Sequence, residues 1–119
     1  MPYQVKHLTK HSEINNNGET IYEILKDKER SIAYVVITTE SKLHYHKKTR
    51  EEYYIAKGNG TIFLGELDKG KLDKIKVKEG SFIEILPNTL HKIRKDRGTL
   101  EFFVICTPAW NPDDHILKD

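Results

Sequence analysis

The stretch HYHKKTREEYYIAKG, residues 44–58, places two histidines two positions apart and follows them with paired acids and an apolar run. Residues two apart on a β-strand point to the same face of the sheet, so His44 and His46 would project side by side. On a helix the same two side chains would point in nearly opposite directions. The alternative for the pair on its own is an exposed polar face.

The acid at position 51, Glu51, favours a metal-binding site over an exposed polar face as the interpretation of this stretch. A tight loop at 47–50 would start the next strand at Glu51, and the alternation of faces then groups Glu51 with Tyr53 and turns Glu52 away. A carboxylate beside two imidazoles is a donor set suited to a divalent first-row metal. The competing interpretation of Glu51 is a weak surface ion pair with Lys47 or Lys48.

Strand signals surround this stretch on both sides. Residues 21–25 and 32–39 are β-branched and aromatic and would form a hairpin. Asn59-Gly60 predicts a second hairpin turn, and Asp96-Arg97-Gly98 predicts another between 91–94 and 99–106. Turns recur about every 8–12 residues, which is typical of an all-β sandwich or barrel.

The end of the chain has the signals of one short helix. Asn111-Pro112-Asp113-Asp114 supplies a capping side chain, a proline at the first helical position and acids in the first turn. Trp110 precedes it and is expected to fold this tail, residues 107–119, over a barrel opening or onto a neighbouring molecule. We find no linker and expect a single domain over residues 1–119.

Composition narrows the classes of function. The chain has 119 residues, 20 cationic and 18 anionic side chains and a net charge of +2, which argues against binding nucleic acid through bulk charge. Cys106 is the single cysteine, so no internal disulfide forms and a reducing compartment is expected. No stretch resembles a signal peptide or a membrane span, and we expect a cytoplasmic protein that does not bind membranes.

The stretch that contains these histidines resembles a motif of a known protein family. The pattern HxHx4Ex6G, formed by His44, His46, Glu51 and Gly58, matches the first motif of the cupin superfamily from its histidines onward. The glycine that this motif has earlier is Thr38 here.

A looser match to the second cupin motif spans about residues 80–95. Gly80 and His91 stand where the motif has them, whereas Leu86, Asn88 and Lys95 replace its proline, its second glycine and its asparagine. Asn accepts left-handed backbone angles better than most residues, so Asn88 is a tolerable replacement. Lys95 is the more serious departure.

The resemblance implies an antiparallel double-sheet jelly-roll barrel with a metal held by His44, His46, Glu51 and His91. The metal would be one divalent transition ion (Fe, Mn, Ni or Zn), with one or two positions open to water, substrate or oxygen. The resemblance also makes a homodimer the expected assembly.

Two enzymatic chemistries follow from the resemblance, and one alternative belongs to another class. The first interpretation is a dioxygenase-type oxidoreductase acting on a small oxygenated molecule, and the second is a sugar or sugar-phosphate isomerase or epimerase. The alternative is a module that binds or senses a metal or small ligand without turnover.

Other residues are candidates for lesser roles. Tyr53, expected to face the barrel interior, and Lys95 are catalytic candidates. The cations near the motifs would favour an anionic ligand if they face the site, although solvation is the simpler interpretation for all but Lys95; they are Lys47, Lys48, Arg50, Arg94 and Lys95. The remaining histidines, His7, His11 and His115, are expected on the surface.

Overall fold

A computed structural model describes residues 2–8, 13–16 and 18–118, without the side chains of 13–16. It confirms the all-β prediction. The strands, in chain order, are β1 (Glu13–Asn16), β2 (Glu19–Lys26), β3 (Ser31–Ile37), β4 (His44–Tyr45), β5 (Arg50–Glu66), β6 (Asp73–Lys78), β7 (Phe82–Ile85), β8 (Thr89–Thr107) and β9 (Ile116–Leu117). Within this part of the chain, no helix is both long enough and apolar enough to cross a membrane.

Every strand pairing is antiparallel, and the strands form one sheet that curls on itself. The sheet runs β1-β2-β3-β8-β4-β9, and β5 pairs with β8 as well as with β6 and β7. The predicted hairpin between 21–25 and 32–39 is confirmed as β2 and β3, in which Tyr22 lies opposite Tyr34. Because β8 pairs with β3, β4 and β5, it joins the two halves of the curled sheet.

The two hairpin turns predicted inside residues 52–65 and 91–106 are wrong. The chain does not reverse there: β5 and β8 are single strands of 17 and 19 residues that lie side by side. The register between them shifts around Lys57 and Asn59, where both strands bend together. Gly58 has φ of +85°, and a Cβ there would clash with the carbonyl oxygen of Thr99. The glycines therefore allow a bent close approach of two strands, not a reversal.

The core lies on the concave face of the curled sheet. Alternate residues of β3, β5 and β8 point inward, and Ile37, Ile55 and Leu100 have no exposed surface. Tyr53 is also buried, as its position in the alternation predicts. Part of this face stays unfilled and forms the cavity described below.

The tail after β8 folds back over the sheet. Pro112–Asp114 form one turn of 3₁₀ helix, and the Asn111 side chain accepts a hydrogen bond from the Asp113 N–H, so the short helix is confirmed. Ile116 and Leu117 then pair with Tyr45 and His44 as β9. Trp110 packs against the core, which agrees with the prediction of a tail folded over the barrel opening.

Candidate metal centre

Strand pairing brings the four predicted ligands together. His44 on β4 lies opposite His91 on β8, Glu51 stands near the start of β5, and His46 follows β4. Their potential ligand atoms all lie within 4.8 Å of one another. Each of the four side chains is buried, with exposed fractions between 1% for His91 and 6% for His44.

Each imidazole is oriented by a backbone carbonyl. Nδ1 of His44 lies 2.7 Å from the carbonyl oxygen of Lys42, and Nδ1 of His91 lies 2.9 Å from that of Thr89. Nδ1 of His46 lies 2.7 Å from the carbonyl oxygen of Asp114. A carbonyl accepts only, so Nδ1 carries the proton in each ring and Nε2 keeps a free lone pair. In metal-binding histidines, a hydrogen bond from the ring nitrogen that does not bind the metal fixes the orientation of the ring in this way.

The free atoms converge on one point. Oε1 of Glu51 lies 3.1 Å from Nε2 of His46 and 2.8 Å from Nε2 of His91. Despite these distances, the three buried atoms have no hydrogen bond of acceptable geometry among the described residues. Buried polar atoms without partners are costly, and a cation between them would satisfy all three. The arrangement therefore fits a metal ion.

The protonation states also suit a metal. Burial, assisted by His91 and His115, lowers the pKa of His44 to about 3, so its ring is neutral at neutral pH. Burial opposes ionisation of Glu51, and hydrogen bonds and positive charge from His46 and His91 would outweigh burial and lower its pKa only if those Nε2 atoms carried protons. A cation between the same atoms would favour the ionised carboxylate in the same way while the Nε2 lone pairs stay free. A neutral imidazole and an ionised carboxylate are the forms that bind metals.

The second oxygen of Glu51 contacts a thiol. Sγ of Cys106 donates to Oε2 of Glu51 over 3.5 Å, while Oε1 faces the histidines. Burial, and then the Glu51 charge, raises the pKa of Cys106, so the thiol stays protonated and able to donate. Cys106 was expected to be a core thiol; it is buried and also borders the candidate metal centre.

Asp114, in the tail, supports the loop between two candidate ligands, and the sequence analysis did not predict this role. The carboxylate of Asp114 accepts the backbone N–H groups of Lys47, Lys48 and Thr49 at 2.8, 3.0 and 3.1 Å. Its carbonyl orients His46, as described above. Asp114 thus ties the loop between two ligands, His46 and Glu51, to the tail. The only sequence signal was its place as an acid in the first turn of the helix.

The prediction that His115 is a surface residue is wrong. Its ring is partly buried and stacks on that of His44, with centroids 4.3 Å apart and planes 20° apart. It also lines the cavity. Pairing of β9 with β4 carries it there, and two such short strands leave no pattern in the sequence. His7 is exposed, as predicted, and His11 lies outside the described residues.

A cavity of about 520 Å³ opens beside the four ligands. His44, Glu51 and Tyr53 line it from the metal side, and Trp110 and His115 line it from the tail. Burial, and then the charges of Glu51 and Glu19, raises the pKa of Tyr53 well above its usual value, so its phenol keeps its proton.

The motif cations lie elsewhere. The residues that line the cavity include neither Lys95 nor Lys47, Lys48, Arg50 and Arg94. Lys95 lies on β8 opposite Gly60, four residues beyond His91, and its backbone N–H donates to the Thr39 carbonyl over 3.1 Å. Asn88 has φ of +64°, a left-handed backbone angle, where the second motif has glycine, as its tolerance of such angles predicts.

Comparisons of sequence identify one curated relative. No protein-family model matches the chain. An uncharacterised protein of Methanocaldococcus jannaschii, MJ1618, is 32% identical over 115 residues, which cover 88% of this chain and 86% of that protein. The chain belongs to the same family as this protein.

Comparisons of structure supply the fold. A variant of Streptomyces PAC13 with uridine has a TM-score of 0.79 at 16% identity, over 95% of this chain and 90% of that chain. A variant of Bacillus subtilis oxalate decarboxylase, a cupin, has a TM-score of 0.82 at 15% identity over 99% of this chain. The chain shares the barrel fold of these two proteins, which is the fold that its resemblance to cupins implies. It spans only 33% of the oxalate decarboxylase chain.

The jelly-roll prediction is therefore confirmed, and together with the buried histidine and glutamate cluster it supports a metal-binding cupin. Pac13 is described as a nucleoside dehydratase, so proteins with this fold include an enzyme.

Proposed function

We propose that this cupin is an enzyme that holds one divalent transition metal (Fe, Mn, Ni or Zn) through His44, His46, Glu51 and His91 and acts on a small oxygenated molecule. The observation that supports this most strongly is the convergence of the Nε2 atoms of two histidines on Glu51 Oε1, all three buried and without a hydrogen bond to any residue that the structure describes. When bound, the metal would supply a Lewis acid or a redox centre.

Metal content tests the first half of this proposal. We expect mass spectrometry to find close to one transition metal per wild-type chain and almost none in His46→Ala. His7→Ala is the matched control, because it removes an exposed histidine far from the ligands in sequence. Equal, near-zero metal in the wild type and in His46→Ala would contradict the proposal.

The cavity gives the chain's own residues their part in the reaction. A space of about 520 Å³ bordered by Glu51, Tyr53 and His115 suits a small molecule and limits the water around it. The protonated phenol of Tyr53 can donate a hydrogen bond to a ligand oxygen. His115 presents a ring at the same cavity, with a buried Nδ1 that has no hydrogen-bond partner among the described residues.

The donor set favours dioxygenase-type oxidation as the first candidate reaction. Histidines with one carboxylate and open positions are typical of non-haem Fe(II) oxygenases. We expect the iron-loaded protein to consume oxygen with a catechol or a diketone, and His46→Ala to consume none. An oxygen electrode measures both.

Isomerisation or epimerisation of a sugar or sugar phosphate is the second candidate, because Tyr53 and His115 place groups that can hold protons at the cavity. Exchange of a substrate C–H proton with deuterated solvent, without oxygen uptake, would support it. If the metal-loaded protein shows neither oxygen uptake nor exchange, a binding or sensing module without turnover becomes the better proposal. The names of the structural neighbours support catalysis in general and select neither reaction.

We also propose that two copies form a homodimer through an aromatic row on the convex face of the sheet. The register places Tyr22, Tyr34, Phe103, Tyr54 and Phe82 opposite one another across β2, β3, β8, β5 and β7. Phe82 is 60% exposed, Tyr54 50% and Phe103 38%. Soluble monomers rarely expose a contiguous apolar patch of this kind, so a second copy packed on it would account for the row.

A further inference from the structure

The two carboxylate oxygens of Glu51 have different surroundings. Oε1 lies 3.1 Å from Nε2 of His46 and 2.8 Å from Nε2 of His91, and it has no hydrogen bond to any residue that the structure describes. Oε2 accepts a hydrogen bond from the thiol of Cys106, with 3.5 Å between Sγ and Oε2. An ionised carboxylate can offer a metal one oxygen or both, and here only Oε1 is left free beside the histidines.

The pairing of two strands places the thiol at Oε2. Glu51 of β5 and Cys106 of β8 lie opposite each other, and both are buried, with exposed fractions of 5% and 3%. Side chains opposite each other on one face of a sheet have Cβ atoms about 4.5–5.5 Å apart, which keeps short side chains in contact. The contact between thiol and carboxylate is therefore held by the backbone of the two longest strands.

Ser31 orients the thiol from its other side. Ser31 of β3 lies opposite Cys106, so that β8 carries Cys106 between Ser31 and Glu51. The Ser31 oxygen accepts the backbone N–H of Trp110 over 2.8 Å, and the Ser31 hydroxyl is also a hydrogen-bond partner of the thiol. A hydroxyl that donates to the sulfur leaves the single proton of the thiol for Oε2 of Glu51.

This contact lies on the wall of the cavity, which Ser31, Glu51 and Cys106 all line. A buried carboxylate oxygen that loses its donor is left unsatisfied. A metal ion held by Oε1 of the same group would be close enough to satisfy Oε2 as well. The second oxygen would then occupy a position on the metal that a small molecule in the cavity could otherwise take.

We propose that Cys106 is a positioning residue: its thiol holds Oε2 of Glu51, so that Glu51 binds the metal through Oε1 alone and a position on the metal stays open to a ligand in the cavity. The inference rests on the proposed function, because it requires a metal at the four candidate ligands. The alternative is a thiol that binds the metal itself, but Cys106 is not part of the group whose ligand atoms all lie within 4.8 Å of one another.

The first test compares the affinity of an added ligand with the affinity of the metal. Acetohydroxamate is titrated into the Co(II)-loaded protein, and the visible spectrum of Co(II) reports its binding. Cys106→Val and Cys106→Ala remove the donor, and we expect acetohydroxamate to bind to both at least about tenfold more weakly than to the wild type. Competition with a chelator should show an unchanged or higher affinity for Co(II), whereas loss of a merely structural contact would lower it.

Two variants serve as controls for this test. Cys106→Ser keeps a hydrogen-bond donor, and we expect it to bind acetohydroxamate within about threefold of the wild type. Val104→Ala is the matched control for lost volume, because Val104 is buried on the same strand, lines the same cavity and has no side-chain donor. It should keep the wild-type affinity for acetohydroxamate.

The second test needs no variant of Cys106. Because Cys106 is the single cysteine, the S–H stretching band of the infrared spectrum belongs to its thiol alone. We expect this band at a lower frequency than that of a thiol in an alkane solvent, since a hydrogen bond weakens the S–H bond. The shift should persist in Ser31→Ala, because the acceptor is Glu51. A wild-type band at the alkane frequency would overturn the inference.

The outcomes separate this inference from the proposed function. Equal acetohydroxamate affinities in the wild type and the two variants without a donor would overturn the inference, while the Co(II) spectrum upholds the metal site. A weaker affinity for Co(II) in both variants would assign Cys106 a structural role instead. A thiolate-to-cobalt charge-transfer band in the wild type would show that the thiol binds the metal, which also contradicts the inference. A wild-type protein that binds no Co(II) would overturn the proposed function, and this inference with it.

Discussion

Asp114 contacts the candidate metal centre at two points without being one of its four ligands. Its carboxylate accepts three backbone N–H groups of the loop after His46, and its carbonyl oxygen fixes the ring of His46 itself. These N–H groups lower the pKa of Asp114 although burial opposes them, so the carboxylate is ionised at neutral pH. Positioning of this kind governs how tightly a preformed site binds its metal.

We therefore expect Asp114→Ala to weaken metal binding about 10- to 100-fold, because the loop that presents His46 and Glu51 loses three hydrogen bonds to its backbone. Competition with a coloured chelator measures the affinity. Asp113→Ala is the control, since Asp113 is an exposed acid in the same 3₁₀ turn. Equal affinity for the two variants would show that the loop holds its shape without the tail.

A second prediction at the scale of single residues concerns alkaline pH. Burial, assisted by a 2.7 Å hydrogen bond to Glu101, raises the pKa of Tyr34 from 10.0 to about 12. A raised pKa means that the folded protein holds this proton more tightly than the unfolded chain. The stabilisation is complete below pH 10 and disappears as the pH rises towards about 12.

We accordingly expect the stability difference between wild type and Tyr34→Phe to shrink as the pH rises from about 10 to about 12. Urea unfolding at a series of pH values measures it. Tyr54→Phe, which alters an exposed tyrosine, provides the comparison. A constant difference across this range would mean that the folded and unfolded chains bind the Tyr34 proton equally well.

At the scale of elements, β5 and β8 decide the shape of the barrel. An Asn-Gly pair, and a short polar stretch ending in glycine such as Asp96-Arg97-Gly98, are both typical of hairpin turns, and the local sequence contains no signal that tells such a turn from a bend in a long strand. What decides between them is the neighbouring strand. Gly58 leaves room for the backbone at Thr99, so the two strands bend together and stay paired.

Gly58→Ala should therefore lower the free energy of unfolding by about 2–4 kcal/mol, because the side chain would meet a neighbouring main chain as well as an unfavourable backbone angle. Gly80→Ala measures the cost of the unfavourable backbone angle alone. Gly80 has φ of +91° with open space around it, and we expect a loss of about 1–2 kcal/mol. Denaturant titration compares the two variants. Equal losses would refute the role assigned to close approach.

The candidate ligands could be predicted from sequence because their geometry is local. The alternation of a strand aligns His44 with His46, and a loop of fixed length returns Glu51 to the same face. The fourth ligand, His91, could be predicted only from its place in the second cupin motif. The roles of Asp114 and His115 could not be predicted, because they depend on the pairing of β9 with β4, two strands of two residues each.

At the scale of the whole molecule, the convex face carries the aromatic row on which we expect a second copy to pack. Tyr54→Asp or Phe82→Asp would place a charge next to the end or at the end of this row, on its two most exposed aromatic residues, and we expect either to convert a dimer to monomers. Sedimentation velocity over a range of concentrations measures the assembly.

Ile75→Asp is the matched control for the dimer. Ile75 is an exposed apolar residue, 47% accessible, on β6 and outside the row. It should leave the assembly unchanged. A wild-type protein that sediments as a monomer at all concentrations would contradict the proposal, and so would a dimer that both variants preserve.

The contact between His46 and Asp114 spans 68 positions of the chain. On a ribosome, the loop with the first three candidate ligands emerges long before the residue that anchors it. A growing chain can therefore display His44, His46 and Glu51 without the support that shapes them, and the complete pocket exists only after residue 114 has left the exit tunnel. The metal binding proposed for these residues would therefore reach its full affinity only after the tail has been made and has folded back onto the loop.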